Sequence, residues 1–175
     1  MADVVYPDEV VTNALIREVD LTAFGASGKL ALITIDNGMD HTRPTTLGPQ
    51  SMRNINAAID QALAMSPAGI AITGKPFILA AGADLSGITA LTNADDAKTI
   101  IKFGHDAYAK LRTSKIPTFC FVNGLALGGG TELALSCQYR TVAATAFIAL
   151  PEVFIGLVPG WSGVTILPKM IGPTN

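Results

Sequence analysis

The sequence is poor in the residues that commonly build metal centres and disulfide frameworks. It has two cysteines, two histidines and one tryptophan in 175 residues, and neither CxxC nor HExxH occurs. This scarcity argues against a metal site, because no ligands stand at the usual spacing. Cys120 and Cys137 both lie among apolar residues. A disulfide between them is compatible with the sequence, but two buried thiols in a reducing compartment are the favoured interpretation.

Charged residues are also few, and long apolar runs are absent from the sequence. Charged residues make up 15% of the chain, the net charge is −2, and no basic stripe occurs. The sequence therefore lacks the electrostatic signature of a nucleic-acid-binding protein. Glycine, proline and charged residues interrupt every apolar run before it reaches the length of a membrane span. Residues 1–13 are acidic and do not resemble a secretory signal. We expect a cytoplasmic protein with neither a nucleic-acid nor a membrane partner.

Apolar residues, in contrast, are abundant. They account for 49% of the sequence, and 175 residues suit a single domain spanning 1–175. A chain of this size can bury a core without metal or disulfide support. The composition is nevertheless apolar for a soluble monomer. We therefore expect either a largely interior chain or apolar surface that is covered by a partner or by a missing piece.

Periodicity predicts an α/β domain. Strands are predicted at 30–36, Gly69–Gly74, Thr118–Val122, Tyr139–Val142 and 147–149, and helices at 49–65 and 94–114, with a short helix after Gly130. One face of the second helix is apolar, consisting of Ala97, Ile101, Gly104, Tyr108 and Leu111. Residues 75–85 are predicted to be rich in turns. In such a domain ligands gather beyond the carboxyl ends of strands, where "AAGAD" (81–84 with Ala80) and "ALGGGTE" (126–132) occur.

Three consecutive glycines, Gly128, Gly129 and Gly130, stand where a helix is predicted to begin. A phosphate cradle is one interpretation, but GxxxxGK[ST] is absent and Leu133 occupies the position that GxGxxG requires to be glycine. The second interpretation is an oxyanion hole, in which backbone N–H groups stabilise the negative charge that develops during a reaction. In this case "AAGAD" would supply another N–H donor. Close packing of the helix against a strand is the third.

Two glutamates accompany these glycines. Glu132 lies in the first turn of the predicted helix, and Glu152 follows between Pro151 and Val153 in an apolar segment. An acidic residue near a helix N-terminus is favourable in itself. A carboxyl group in apolar surroundings must find a hydrogen-bond partner or raise its pKa. Together with a pair of N–H donors, the two carboxyl groups suit acid–base chemistry on a carbonyl compound.

Three segments also resemble, in order and spacing, motifs of the crotonase (enoyl-CoA hydratase/isomerase) superfamily. They are "GIAITGKPFILAAGADL", "VNGLALGGGTELALSCQYR" and "PEVFIGLVPGWSG", and the resemblance covers about residues 25–175. It implies the crotonase (ClpP/crotonase) fold, a spiral of ββα units, usually assembled as trimers or dimers of trimers. The 175 residues end where relatives continue, so we expect a C-terminal helical region to be missing and an exposed apolar patch that promotes association.

The resemblance also implies a site. The N–H groups of Ala83 and Gly129 would form the oxyanion hole, and Glu132 and Glu152 would be the two catalytic glutamates. Ala81 and its neighbours would approach the adenine end of coenzyme A, which is part of the substrate, and no metal or further cofactor is implied. The implied substrate-binding and coenzyme A-binding residues are Ala81, Gly82, Asp84, Leu85, Gly128, Pro151 and Trp161. For Trp161, packing as core filler is the favoured alternative.

The implied activity is that of an enoyl-CoA hydratase, a lyase that adds water to trans-2-enoyl-CoA in fatty-acid β-oxidation. "NGMDHTRPTTLGPQSM" is similar to the hydratase part of multifunctional proteins that also carry a 3-hydroxyacyl-CoA dehydrogenase. Alternatives are a Δ3-Δ2-enoyl-CoA isomerase and a non-catalytic acyl-CoA-binding or assembly module. Lys75 and Lys115 are candidates for contacts with coenzyme A phosphates, or are solvated surface lysines.

Overall fold

The fold alternates strands and helices along the chain. The computed structural model describes residues 4–91 and 93–174. Short 3₁₀ turns occur at Thr22–Phe24, Leu85–Ala90 and Glu152–Ile155. The regular elements are β1 (Asn13–Asp20), β2 (Lys29–Asp36), α1 (Pro49–Ala64), β3 (Gly69–Gly74), β4 (Phe77–Ala80), α2 (Ala94–Arg112), β5 (Thr118–Val122), β6 (Gly124–Leu127), α3 (Gly129–Ser136), β7 (Tyr139–Val142), β8 (Ile148–Ala149) and α4 (Gly163–Ile171).

The strands form two sheets. The larger sheet has the order β1-β2-β3-β5-β7, in which β1 runs antiparallel to β2 and the remaining pairs are parallel. The smaller sheet has the order β4-β6-β8 and is parallel. In each successive group of two strands and a helix, the first strand belongs to the larger sheet and the second strand belongs to the smaller sheet. The units β3–β4–α2, β5–β6–α3 and β7–β8–α4 confirm the predicted spiral of ββα units.

The core lies between the larger sheet and its helices. Helix α1 buries Met52, Ile55 and Ile59 at helical spacing, as the apolar periodicity predicts. Strand β3 is buried along most of its length because both of its faces are covered. Cys120 and Cys137 are free and buried, in agreement with the interpretation from sequence. None of the helices within the described ranges is long and apolar enough to cross a membrane.

The structure corrects several details of the predicted elements. Segment 75–85 is only partly a turn, since Phe77–Ala80 forms β4 and pairs with β6. Strands β1 and β6 and helix α4 were not predicted. Helix α4 includes Pro168, a residue that disfavours helix interiors. On helix α2, Gly104, Tyr108 and Leu111 are buried as predicted, but Ile101 is 47% exposed.

Candidate active site

Three loops meet at one edge of the smaller sheet. Residues 81–84 follow β4, Gly128 follows β6, and the dipeptide of Pro151 and Glu152 follows β8. The three strands are parallel, so their carboxyl ends lie at the same edge. This topology brings together the two small-residue segments that are far apart in sequence.

The first two loops touch through glycine. Gly82 has φ +93°, and a Cβ built on it would lie 3.0 Å from the carbonyl oxygen of Leu127 and 3.4 Å from the nitrogen of Gly129. Gly128 has φ +49°, and a Cβ there would lie 2.8 Å from Oε1 of Glu152. Both positions combine a left-handed backbone with a close approach, so only glycine fits them without strain.

The remaining glycines of the triplet serve packing. A Cβ on Gly129 would enter the ring of Trp161, and one on Gly130 would overlap the carbonyl oxygen of Ala80. The triplet therefore brings α3 against β4 and against the indole at once. Close packing, one of the three interpretations from sequence, therefore applies to Gly129 and Gly130.

Two backbone amides near this contact have no acceptor among residues 4–91 and 93–174. The Leu47 amide donates to Gly82 O, and the Asp84 amide donates to Leu47 O. Ala83 lies between these two bonds, and its own N–H donates to no described group. The N–H of Gly129, at the start of α3, likewise has no acceptor within the described part of the chain. Both amides are thus available to a ligand.

Glu132 lies on the first turn of α3 and is 2% exposed. Its Oε1 accepts hydrogen bonds from the N–H groups of Trp161 and Gly163, each at 2.7 Å. Burial raises the pKa of Glu132 from 4.5 to about 7, the two N–H groups lower it, and the negative charge of Glu152 raises it. The carboxyl group is therefore held in place and poised to exchange a proton near neutral pH.

Glu152 begins the 3₁₀ turn after β8. Its Oε2 is buried and has no hydrogen-bond partner among the described residues. A buried carboxylate oxygen without a partner is costly unless a ligand or a water occupies the space beside it. After burial and the two backbone hydrogen bonds, the negative charge of Glu152 is the last of the causes that set the pKa of Glu132.

These groups line a cavity of ≈ 320 Å³. Every residue that the sequence assigned to the site lines it. Those residues are Ala81, Gly82, Ala83, Asp84, Leu85, Gly128, Gly129, Glu132, Pro151, Glu152 and Trp161. The rest of the lining is mainly apolar and includes Tyr6, Leu47, Pro49, Leu91, Ala97, Ile100, Ile101, Ile155, Leu157 and Val158. Ala97 and Ile101, predicted to be on the buried face of α2, thus face this space.

Trp161 is packed in the core and also lines the cavity. It is 5% exposed and meets Tyr108 edge to face, with ring centroids 5.7 Å apart. It also lines the cavity, and its backbone N–H donates a hydrogen bond to Oε1 of Glu132. Next to it, Ser162 has φ +105° and lies 3.0 Å from Nε2 of His105. This strained turn, which points two amides at Glu132, had no signal in the sequence.

Lys75 departs from both roles considered from sequence, whereas Lys115 is a surface lysine. Lys75 is 3% exposed, and its ammonium group donates to Oδ1 of Asn37 and to the carbonyl oxygens of Met39, Asp40 and Arg43. It therefore holds the loop after β2 and is neither a phosphate ligand nor a surface lysine. Lys115 is exposed and does not line the cavity. Within 4–91 and 93–174, no group of three or more histidine, cysteine, aspartate or glutamate residues is arranged to hold a metal ion.

Comparisons with known proteins agree with this architecture. Fatty acid oxidation complex subunit alpha of Shewanella loihica is 41% identical over 105 residues, which are 59% of this chain and 15% of that protein. The subunit of the same name from Shewanella amazonensis is 35% identical over 147 residues, or 82% of this chain and 20% of its own length. The chain thus spans a fifth or less of these relatives.

A solved structure of an enoyl-CoA hydratase from Thermoplasma volcanium shares the fold. It superposes with a TM-score of 0.78 at 23% identity, covering 97% of this chain and 63% of the other. The sequence profile described as enoyl-CoA hydratase/isomerase matches residues 26–175. The ββα units, the paired small-residue loops and this match together show that the chain belongs to the enoyl-CoA hydratase/isomerase family.

Proposed function

We propose that the site catalyses hydration of a trans-2-enoyl-CoA thioester. One observation carries the proposal: Glu132 and Glu152 line the same apolar cavity as Ala83 and Gly129, whose N–H groups lack acceptors in the described part of the chain. Two donors directed at a carbonyl oxygen and two carboxyl groups beside them are the parts that this reaction requires.

In the proposed reaction the thioester oxygen binds between the N–H groups of Ala83 and Gly129. Polarisation of the carbonyl group makes C3 of the enoyl chain electrophilic, and the oxygen gains negative charge as water adds. Loss of one such donor typically costs about 3–4 kcal/mol of transition-state stabilisation. The donors are backbone groups held by the contact between Gly82 and Gly129, so they need little reorganisation during the reaction.

The two glutamates divide the proton transfers. Glu132, ionised, accepts a proton from water as the oxygen bonds to C3. Glu152 transfers a proton to C2, and the proton taken up by Glu132 then restores Glu152, so that one water molecule is added across the double bond. A pKa of about 7 for Glu132 suits a base that works at neutral pH. The buried Oε2 of Glu152, which lacks a partner among the described residues, is available to this water.

Replacement of each glutamate tests the proposal. We expect Glu132→Gln and Glu152→Gln each to lower kcat for crotonyl-CoA by a factor of about 10²–10⁴, which is typical for loss of an acid–base group. Glu18→Gln is the matched control because Glu18 is on β1, paired with Lys29, and does not line the cavity. Normal hydration by either glutamate variant would refute the assignment, and acyl-CoA binding without turnover by the unaltered protein would favour a non-catalytic module.

A Δ3-Δ2-enoyl-CoA isomerase is the second candidate, because the matching family is described as hydratase/isomerase. Isomerisation needs only one base to move a proton between C2 and C4. In deuterated water, an isomerase would incorporate deuterium and shift the double bond without forming a hydroxyl product. The named relatives, which are subunits of fatty acid oxidation complexes, support hydration in fatty-acid β-oxidation, and a following 3-hydroxyacyl-CoA dehydrogenase region is part of the same proposal.

A further inference from the structure

The turn at 161–163 orients the carboxyl group of Glu132. The amides of Trp161 and Gly163 both donate to Oε1 of Glu132 at 2.7 Å. Ser162, which lies between them, has φ +105° and is 4% exposed. Backbone N–H groups around a left-handed residue point to the same side of the chain, so they can share one acceptor. The conformation of Ser162 therefore decides where the Glu132 carboxyl group is held.

The side chain of Ser162 contacts α2 rather than its own helix. Ser162 stands at the N-cap of α4, where a serine hydroxyl usually accepts a hydrogen bond from the first turn. No such cap bond forms in the described chain, and Oγ of Ser162 instead lies 3.0 Å from Nε2 of His105. A hydroxyl can donate to an unprotonated Nε2 or accept from Nε2–H, so the contact suits either form of the imidazole. Because a left-handed backbone is unfavourable for a residue with a Cβ, this contact from outside the turn helps to hold it.

The same part of α2 contacts the site at two further points. A Cβ on Gly104 would enter the indole ring of Trp161. The hydroxyl of Tyr108 donates to the carbonyl oxygen of Gly129 at 3.1 Å. Residues four positions apart lie on one face of a helix, so these contacts come from one face of α2. Helix α2 therefore holds both the turn that orients Glu132 and the residue that carries a proposed oxyanion-hole N–H.

His105 differs from these neighbours on α2, because packing does not explain it. Gly104 and Tyr108 are buried, whereas His105 is an exposed polar residue. It does not line the cavity in the described part of the chain, so it is not placed to touch a substrate there. Its contact with the site is the hydrogen bond to Ser162.

We propose that His105 is a positioning residue that holds the turn at Ser162 and thereby orients the carboxyl group of Glu132 for proton transfer. The proposal rests on the proposed hydration and adds to it a residue outside the cavity. Burial raises the pKa of Glu132 and the two amides lower it, so loosening the turn should raise this pKa further. Glu152, in the turn after β8, and Tyr108, on α2, are the titratable groups whose charges couple to Glu132. Neither of them is altered by the substitutions below.

Substitution of His105 tests this role. We expect His105→Ala to lower kcat by a factor of about 3–10, as for loss of one hydrogen bond, with KM within about twofold of the parent value. The rise of kcat/KM with pH should move to higher pH by about 0.5–1 pH unit, whereas a loss of folded protein would lower kcat/KM equally at every pH. His105→Gln retains a nitrogen that can donate to Ser162 and should recover most of the activity. His41→Ala is the matched control, because His41 is the second histidine of the chain, is exposed and does not line the cavity.

A double-mutant cycle tests whether the hydrogen bond is responsible. Ser162→Ala keeps the Cβ and removes the hydroxyl, so it breaks the same contact from the other side. If His105 acts through Ser162, the double variant should lose no more activity than Ser162→Ala alone. Additive losses would overturn the inference, and so would a parental kcat and pH profile in His105→Ala.

NMR titration of the Glu132 carboxyl carbon separates this inference from the proposed reaction, because it needs no substrate. If no hydration occurs but the pKa of Glu132 is higher in His105→Ala than in the unaltered protein and is restored in His105→Gln, the inference stands and the reaction assignment fails. If hydration occurs and Glu132 titrates identically in all of these proteins, the inference is overturned.

Discussion

Replacement of Glu132 by glutamine should make the protein more stable at alkaline pH while lowering its activity. In the folded chain the pKa of Glu132 is about 7, compared with an ordinary value of 4.5. Below pH 4.5 the group is protonated in both the folded and the unfolded chain. As the pH rises, the unfolded chain ionises first, so folding loses stability until the folded carboxyl group also ionises near pH 7.

The size of this effect follows from the difference between the two pKa values. A difference of about 2.5 corresponds to about 3 kcal/mol, because each pH unit is worth about 1.4 kcal/mol. The amide oxygen of Glu132→Gln can still accept the N–H groups of Trp161 and Gly163, but it carries no charge that is penalised by burial. Between pH 5 and pH 8, the free energy of unfolding of the variant should therefore gain about 2.5 kcal/mol relative to the parent.

Urea denaturation followed by circular dichroism at several pH values measures this difference. Thr131→Ser is the matched control, because Thr131 is a neighbouring buried residue that does not titrate and its hydroxyl bonds to Ala126 and Ala149 can persist. Its effect on the free energy of unfolding should be the same at every pH. A Glu132→Gln difference that is equally flat between pH 5 and pH 8 would refute the raised pKa and with it the reasoning from burial.

Three further outcomes are expected. Because the base must be ionised, kcat/KM for hydration should rise through pH 7 in the unaltered protein; a profile that is flat there excludes Glu132 as the base. Ser162→Gly should be about 1 kcal/mol more stable in denaturation than Ser162→Ala, since both lose the contact with His105 but only glycine relieves φ +105°. Phe154 is 87% exposed among apolar neighbours, so sedimentation should show masses above 18.2 kDa that Phe154→Ser reduces; a monomeric parent contradicts this.

The opposed effects expected for Glu132→Gln have one cause. A carboxyl group buried in an apolar cavity is unfavourable when ionised, and this same environment brings its pKa close to neutrality. The protein retains the charge where the proposed reaction needs it and loses stability as a result. Residues at functional sites commonly show this trade-off between activity and stability.

Local sequence determined much of the architecture. Helix α1 and strand β3 were predicted with nearly their observed bounds, because apolar periodicity and strand-forming residues act within a few positions. The glycines around Gly128 and the residues of the 81–84 loop were also assigned to one site. That assignment depended on motifs whose spacing is a direct property of the sequence, and all of these residues line one cavity.

Long-range contacts decided the rest. Strand β6 has only four residues and is defined by pairing with β4 and β8, which no local window contains. The burial of Lys75 depends on four oxygen acceptors in the loop after β2. The pKa of Glu132 depends first on its burial, then on amides 29 and 31 positions away and on Glu152. Sequence thus determined which groups are present, and tertiary structure decided their neighbours, which set burial, charge and access.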